Sequence, residues 1–281
     1  MHRIGHEYNC EDGPRVSLWN NIASPGGIYK RVVYQPLREA DKLPDGFGCA
    51  DDTCSYRYDG EHVWTFEDAT AGLRGVLRHR DDHAAVNCYP YSGSLSDDFA
   101  SHHMDLPGAV TGSLSIGGKT YAVQGLSIRD HGWGRRDWGT LLSHRWIAGT
   151  FGPDLSFVAL AWHAADDSFA SFGWVVKGDT IVFAREVDII AYTEIDSASV
   201  RGGHLRMLLA DGDVLDVECT PLAKGLVSYH HDIACVDTMC RISAGGRVGI
   251  CDFETTANFQ KNNRTPGRMI NAVVENGFHP V

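Results

Sequence analysis

No unbroken apolar run in the 281 residues is long enough to cross a bilayer as a helix. The opening Met1-His2-Arg3-Ile4-Gly5-His6-Glu7 lacks the apolar core of a signal peptide. Positive charge is scarce: 25 Lys and Arg stand against 36 Asp and Glu, a formal net charge of −11. That balance argues against nucleic acid or an anionic membrane surface as a partner. The eight cysteines, at 10, 49, 54, 88, 219, 235, 240 and 251, include no C-x-x-C pair. Without an export signal they read as reduced thiols, and a cytoplasmic location is expected. The 49/54 and 235/240 spacings are too loose for a zinc site.

Familiar catalytic signatures are missing too. There is no G-x-S-x-G elbow, no P-loop, no G-x-G-x-x-G after a strand and no H-E-x-x-H helix. Ser143 and His144 are adjacent, which on a strand puts them on opposite faces rather than in a nucleophile–base pair. Covalent and nucleotide-dependent mechanisms are therefore not expected, nor is a cofactor. Helical periodicity is also lacking, so short helices at 94–103 and 138–144 are the most that is expected.

What remains is strand and turn. Ala170–Val176, a turn at Lys177-Gly178-Asp179, then Thr180–Ala184 read as a hairpin. Leu155–His163 is apolar on both faces, as in a strand covered on both sides. Asp211-Gly212-Asp213 and Gly245-Gly246 mark further hairpins. With 43% hydrophobic and 10% aromatic content, a substantial all-β core is expected. An internal echo suggests two similar β units. His102-His103, Leu114-Ser115 and Gly117-Gly118-Lys119 recur 128 residues later as His230-His231, Ile242-Ser243 and Gly245-Gly246-Arg247. The join is placed near Gly125, giving domains 1–125 and 126–281.

The run Arg129-Asp130-His131-Gly132-Trp133-Gly134-Arg135-Arg136-Asp137-Trp138 concentrates six ionisable groups and two tryptophans in ten residues. Arginine and aspartate are seldom buried unless paired, so the run reads as a polar cluster on an apolar wall, the make-up of a ligand pocket. A structural ion-pair lattice has the same composition and stays open. If 127–133 is extended, Ser127, Arg129, His131 and Trp133 share one face, Ile128 and Asp130 the other. His131 suits proton transfer near neutrality. Asp130 or Asp137 could act as general acid, or orient an imidazole. Arg129, Arg135 and Arg136 could hold a carboxylate, phenolate or enolate.

The stretches His102-His103-Met104-Asp105 and Gly112–Gly118, Gly125, and the Arg129–Trp138 run together resemble the two-domain lipocalin-like superfamily of carotenoid 1,2-hydratase, AttH-type and Diels-Alderase-like proteins. The resemblance is specific across roughly residues 100–165. Where those families carry Arg-Asp-His-Ser-Trp-Gly, this chain has Gly132 in place of the serine. The resemblance implies two stacked β units, a sandwich and a barrel, with an apolar ligand held in or between them. It implies no single reaction.

Five of the seven tryptophans fall within 42 residues. Trp133, Trp138, Trp146, Trp162 and Trp174, with His144, are expected from this clustering to line one pocket for a flat or extended apolar substrate, although for each tryptophan taken alone core packing is the better account. His102-His103 with Asp105, and His230-His231 with Asp232, offer metal-ligand atoms. Adjacent strand histidines diverge, however, so no metal is expected. The expected function is acid–base chemistry on a terpenoid, polyketide-like or aromatic small molecule: hydration, dehydration, isomerisation, cyclisation or a lyase step. Asp130, His131, Arg129 and Asp137 are the candidate catalytic residues. Trp133, Arg135, Arg136, Trp138, His144, Trp146, Trp162 and Trp174 are the candidate substrate contacts. The alternatives are a carrier of a hydrophobic ligand and a partner-binding β protein. The sequence leaves the oligomeric state open, a homodimer included.

Overall fold

The computed structural model describes residues 1–8, 10–42, 51–87, 101–230, 233–261 and 269–280. In chain order the strands are β1 (His2–Glu7), β2 (Arg15–Ser24), β3 (Gly27–Pro36), β4 (Cys54–Tyr58), β5 (His62–Asp68), β6 (Leu73–Asp81), β7 (His102–Ile116), β8 (Lys119–Trp133), β9 (Leu141–Thr150) and β10 (Leu155–Ala164). Then follow β11 (Phe169–Lys177), β12 (Thr180–Thr193), β13 (Val200–Leu209), β14 (Val214–Pro221), β15 (Gly225–His230), β16 (Ile233–Ala244), β17 (Arg247–Asn258), β18 (Ala272–Val273) and β19 (Gly277–Pro280). The fold is all-β; among the described residues the helical elements are the 3₁₀ turns Glu39–Asp41 and Trp138–Thr140. The helix expected at 138–144 is thus a single 3₁₀ turn running into β9. Residues 94–100 of the other expected helix lie outside the described residues, and 102–103 open β7. None of the described helices is long and apolar enough to cross a membrane.

The chain divides into two units, each discontinuous in sequence: 1–80, 109–125 and 275–281 form one, and 81–108 and 126–274 the other. This differs from the expected pair of consecutive domains, 1–125 and 126–281. The reason is strand pairing. β7 and β8, each 15 residues long, contribute to both units, and β19 returns from the C-terminus to pair with β3.

The first unit is a sandwich. Its antiparallel sheet β1-β2-β3-β19 and the sheet β4-β5-β6-β7-β8 contribute to one core. Leu18, Ile22 and Tyr29 come from the first sheet; Phe66, Leu73, Leu77, Leu114 and Ile116 come from the second. The Tyr29 hydroxyl donates to Asp68 Oδ2 at 2.7 Å, and this buried bond ties the two sheets.

In the second unit β9 to β14 pair in succession; β14 then pairs with β16, β16 with β17, and β17 with β9. These eight strands close a barrel. The hairpins expected at 177–179, 211–213 and 245–246 are all present, the last with Gly245 and Gly246 both at positive φ, as a two-residue turn requires. Inward residues alternate with outward ones, and the interior is filled by Ile147, Phe157, Met207, Leu205, Ile242 and Phe253 with their neighbours. Each large side chain buried there contributes about 1.5–3 kcal/mol.

Candidate functional site

The outer face of the barrel is where the unexpected chemistry lies. Strand register sets three rows across β16, β17, β9, β10 and β11, all on the face turned away from the filled interior. One row is Cys235, Thr256, His144, Trp162 and Ala170. The next is Asp237, Glu254, Trp146, Leu160 and Phe172, and the third is Met239, Asp252, Ala148, Val158 and Trp174. A face carrying three carboxylates would ordinarily be left to water, yet His144, Trp146, Leu160, Trp162, Trp174 and Asp237 are buried. Part of the cover is the portion of β7 and β8 that belongs to this unit. Asp105, Pro107 and Ile128 from those strands line, with Ser156, Val158 and Trp174, a cavity of ≈ 10 Å³, room for about one water.

On β7, His103 and Asp105 are two residues apart and so share a face. His103 Nδ1 meets Asp105 Oδ2 at 3.0 Å, and Nε2 meets Asp130 Oδ1 of β8 at 3.2 Å. The imidazole therefore bridges a deeply buried carboxylate and one that is 48% exposed. Burial raises the Asp105 pKa, the nearby Asp130 charge adds to the rise, and His103 and the Arg136 guanidinium oppose it. Asp105 Oδ1 is buried without a hydrogen-bond partner and belongs to the residue that borders the cavity. The candidate ligand atoms of His103, Asp105 and Asp130 lie within 4.8 Å of one another and could hold a cation, although Arg136 already supplies positive charge beside Asp105.

A second network lies on the wall itself. His144 Nε2 is 2.7 Å from Glu254 Oε1, and the Thr256 hydroxyl donates to the same oxygen at 2.8 Å. The His144 ring stacks on Trp162, with centroids 5.9 Å apart and planes 5° apart. Neighbouring Arg145 faces the other way; its guanidinium donates to the His144 carbonyl, and burial lowers its pKa.

The residues singled out from the sequence separate into three groups. Asp130, His144, Trp146, Trp162 and Trp174 belong to this wall and its cover. Asp130 and His131 do not converge, because successive β8 residues point to opposite faces. His131 instead lies against Trp133, with ring centroids 5.1 Å apart, and Trp133 stacks on His102 and is exposed. Arg129 makes a bidentate pair with Asp81 at 3.0 and 2.7 Å. Arg135 pairs at the surface with Asp137, whose carboxylate caps the 3₁₀ turn holding Trp138 by accepting from Gly139 N–H. Arg129, Arg135 and Asp137 are thus engaged in ion pairs and a turn cap away from His103, and Arg136 is the arginine near the buried histidine. His103 and Asp105, noted in the sequence for their metal-ligand atoms and as part of the stretch that carries the resemblance, hold the central place. Of the other pair, His231 and Asp232 lie outside the described residues.

Gly132 sits where a Cβ would come within 2.5 Å of Arg136 Nη2 and 2.7 Å of His103 Cδ2. The room a serine side chain would need is taken by the arginine and the imidazole. Gly132→Ser is expected to lower stability by about 1–3 kcal/mol, the usual cost of overpacking, as read from urea melts. An unchanged midpoint would show that Arg136 and His103 can give way.

A family model described as a domain of unknown function, DUF7064, matches residues 1–259. The chain belongs to the DUF7064 family. No curated protein is a significant match. Among solved structures this DUF7064 chain is similar to an AttH-like protein of Nitrosomonas europaea, with a TM-score of 0.67 and 10% identity over 90% of this chain and 85% of that one. It is also similar to kievitone hydratase of Nectria haematococca, with a TM-score of 0.55 and 9% identity over 92% of this chain and 88% of that one. At such identity the likeness is one of fold, and it is the lipocalin-like fold of the superfamily that the Arg129–Trp138 run resembles.

Proposed function

We propose that this DUF7064 protein is a general acid–base enzyme of the hydro-lyase kind, adding or removing water at an alkene of an apolar terpenoid, polyketide-like or aromatic molecule. One observation carries the reading: the imidazole of His103 stands between buried Asp105 and half-exposed Asp130. A buried carboxylate on Nδ1 fixes the tautomer, so Nε2 can pass a proton to and from half-exposed Asp130. The neighbouring wall of Trp146, Leu160, Trp162 and Trp174 is apolar, and charge developing beside it is weakly screened. A solved hydratase with the same fold adds support by analogy alone. The competing idea of a carrier that holds its cargo inside the barrel is not favoured, because side chains fill that interior.

The test is incubation with prenylated phenols and monoterpenoid alkenes and alcohols in D₂O, read by mass spectrometry and proton NMR. Deuterium appearing at an alkene carbon, or water gained or lost, is the expected result. Tight binding across the panel with no exchange would favour a carrier instead.

A further inference from the structure

The reaction proposed above needs two proton-transfer groups, one to handle water and one to handle carbon. His103 supplies one. We propose that Asp252 on β17 is the other, the carboxylic acid that gives a proton to the substrate carbon and takes it back; this rests on the hydro-lyase reading.

The placement comes from register. Asp252 lies in the row of Ala148, Val158 and Trp174, and the last two border the cavity beside Asp105. Its Oδ1 is buried with no hydrogen-bond partner, while those three row neighbours are apolar. Within this unit the charged groups around it are acidic. Glu254 is two residues along the same strand face, Asp237 stands opposite Glu254 on β16, and Asp130 of β8 is near enough for its charge to be felt. Burial first and then the Glu254 charge push the Asp252 pKa up to about 7, Asp130 adding to the rise while a positive charge and a backbone hydrogen bond at Thr238 oppose it. Carboxyl groups crowded at low dielectric cannot all ionise, and separating their pKa values is how one site holds an acid and a base together. Glu254 is already engaged by His144 and Thr256, and Asp130 by His103. Asp252, with its buried and unpartnered Oδ1, is the group to which the exchangeable proton is assigned.

In the hydration direction the alkene π pair takes the Asp252 proton, forming a C–H bond and a carbocation. Water then adds to the cation, its O–H bond breaking as His103 accepts the proton. That proton returns to the Asp252 carboxylate, so water is the only reagent consumed. Dehydration runs the same steps backwards.

The test uses the intact protein, its aspartates labelled with ¹³C at the carboxyl, and compares wild type with Asp252→Asn and Asp252→Ala. A carboxyl signal titrating near neutrality and absent from both variants is expected. So is a fall of at least about 10²-fold in deuterium incorporation from D₂O into the alkene panel for Asp252→Asn, the size typical of a lost acid–base group. A signal titrating in the ordinary carboxylate range overturns the proposal. So does an Asp252→Asn protein that stays folded and exchanges at the wild-type rate. If the wild type exchanges nothing, the hydro-lyase reading fails, and the titration still decides whether Asp252 holds a proton at neutral pH.

Discussion

His103→Ala is expected to lower turnover of any substrate found by about 10³-fold or more, with the fold retained; general acid–base groups commonly contribute 10²–10⁴-fold. The size follows from the position of the ring. Nε2 meets half-exposed Asp130, while the other side of the ring is anchored on buried Asp105. Asp105→Asn should lower turnover by about 10²-fold, because a neutral amide accepts from Nδ1 without stabilising the imidazolium. Asp130→Asn should act mainly on the transfer step, and its loss should show in kcat more than in KM. The contrast is Arg129→Ala. It breaks the bidentate pair with Asp81 and should lower stability by about 1–3 kcal/mol while leaving turnover per folded molecule near wild type. Purified variants followed by rate assay and thermal melt separate the two outcomes. If His103→Ala keeps wild-type turnover and Arg129→Ala loses it, the chemistry lies on the opposite face of β8, with His131 and Trp133.

The same face question shows what the sequence could reveal. Alternation, glycine turns and the absence of helical periodicity were enough for an all-β chain, because each is a local property of strands. The Arg129–Trp138 run was legible as a charged cluster, and Asp130 within it does meet a buried histidine. The direction of each side chain was not legible. The face of β8 that turns inward depends on β7 and on the barrel behind it, and both pairings are long-range. His103 and Asp105 stood out in the sequence within a resemblance-bearing stretch and for their metal-ligand atoms, but nothing local assigned them to proton transfer or joined them to Asp130. Asp252 and Glu254 were hidden for a related reason. Cys251-Asp252-Phe253-Glu254 reads as a strand with one apolar and one solvated face, which is the pattern of any barrel strand exposed to water. Their partial burial comes from elements distant in sequence, as did the interleaved division of the chain into units.

Asp252→Asn is expected to stabilise the protein at pH 8 by roughly 2–4 kcal/mol and to change it little near pH 4. The reason is linkage between protonation and folding. The Asp252 pKa rises from the ordinary 3.8 to about 7 in the folded chain. The folded state therefore holds this proton more tightly than the unfolded state does. Its favourable contribution is complete below the unfolded value, near pH 4, declines as pH rises, and is gone once pH passes the folded value near 7. Above that, the native protein carries a charge in a place that disfavours it. Every tenfold gain in proton affinity corresponds to about 1.4 kcal/mol, which sets a ceiling of about 4 kcal/mol. Asparagine is neutral throughout and removes the loss, although its amide must still find partners in a site where one carboxyl oxygen has none. Asp105→Asn should move stability in the same direction, since burial raises that carboxyl as well. Urea melts of wild type and variant at pH 4.5, 6 and 8 give the difference directly. A variant offset that is constant across the three values would show that Asp252 is ionised throughout, and the acid role assigned to it would fall with that result.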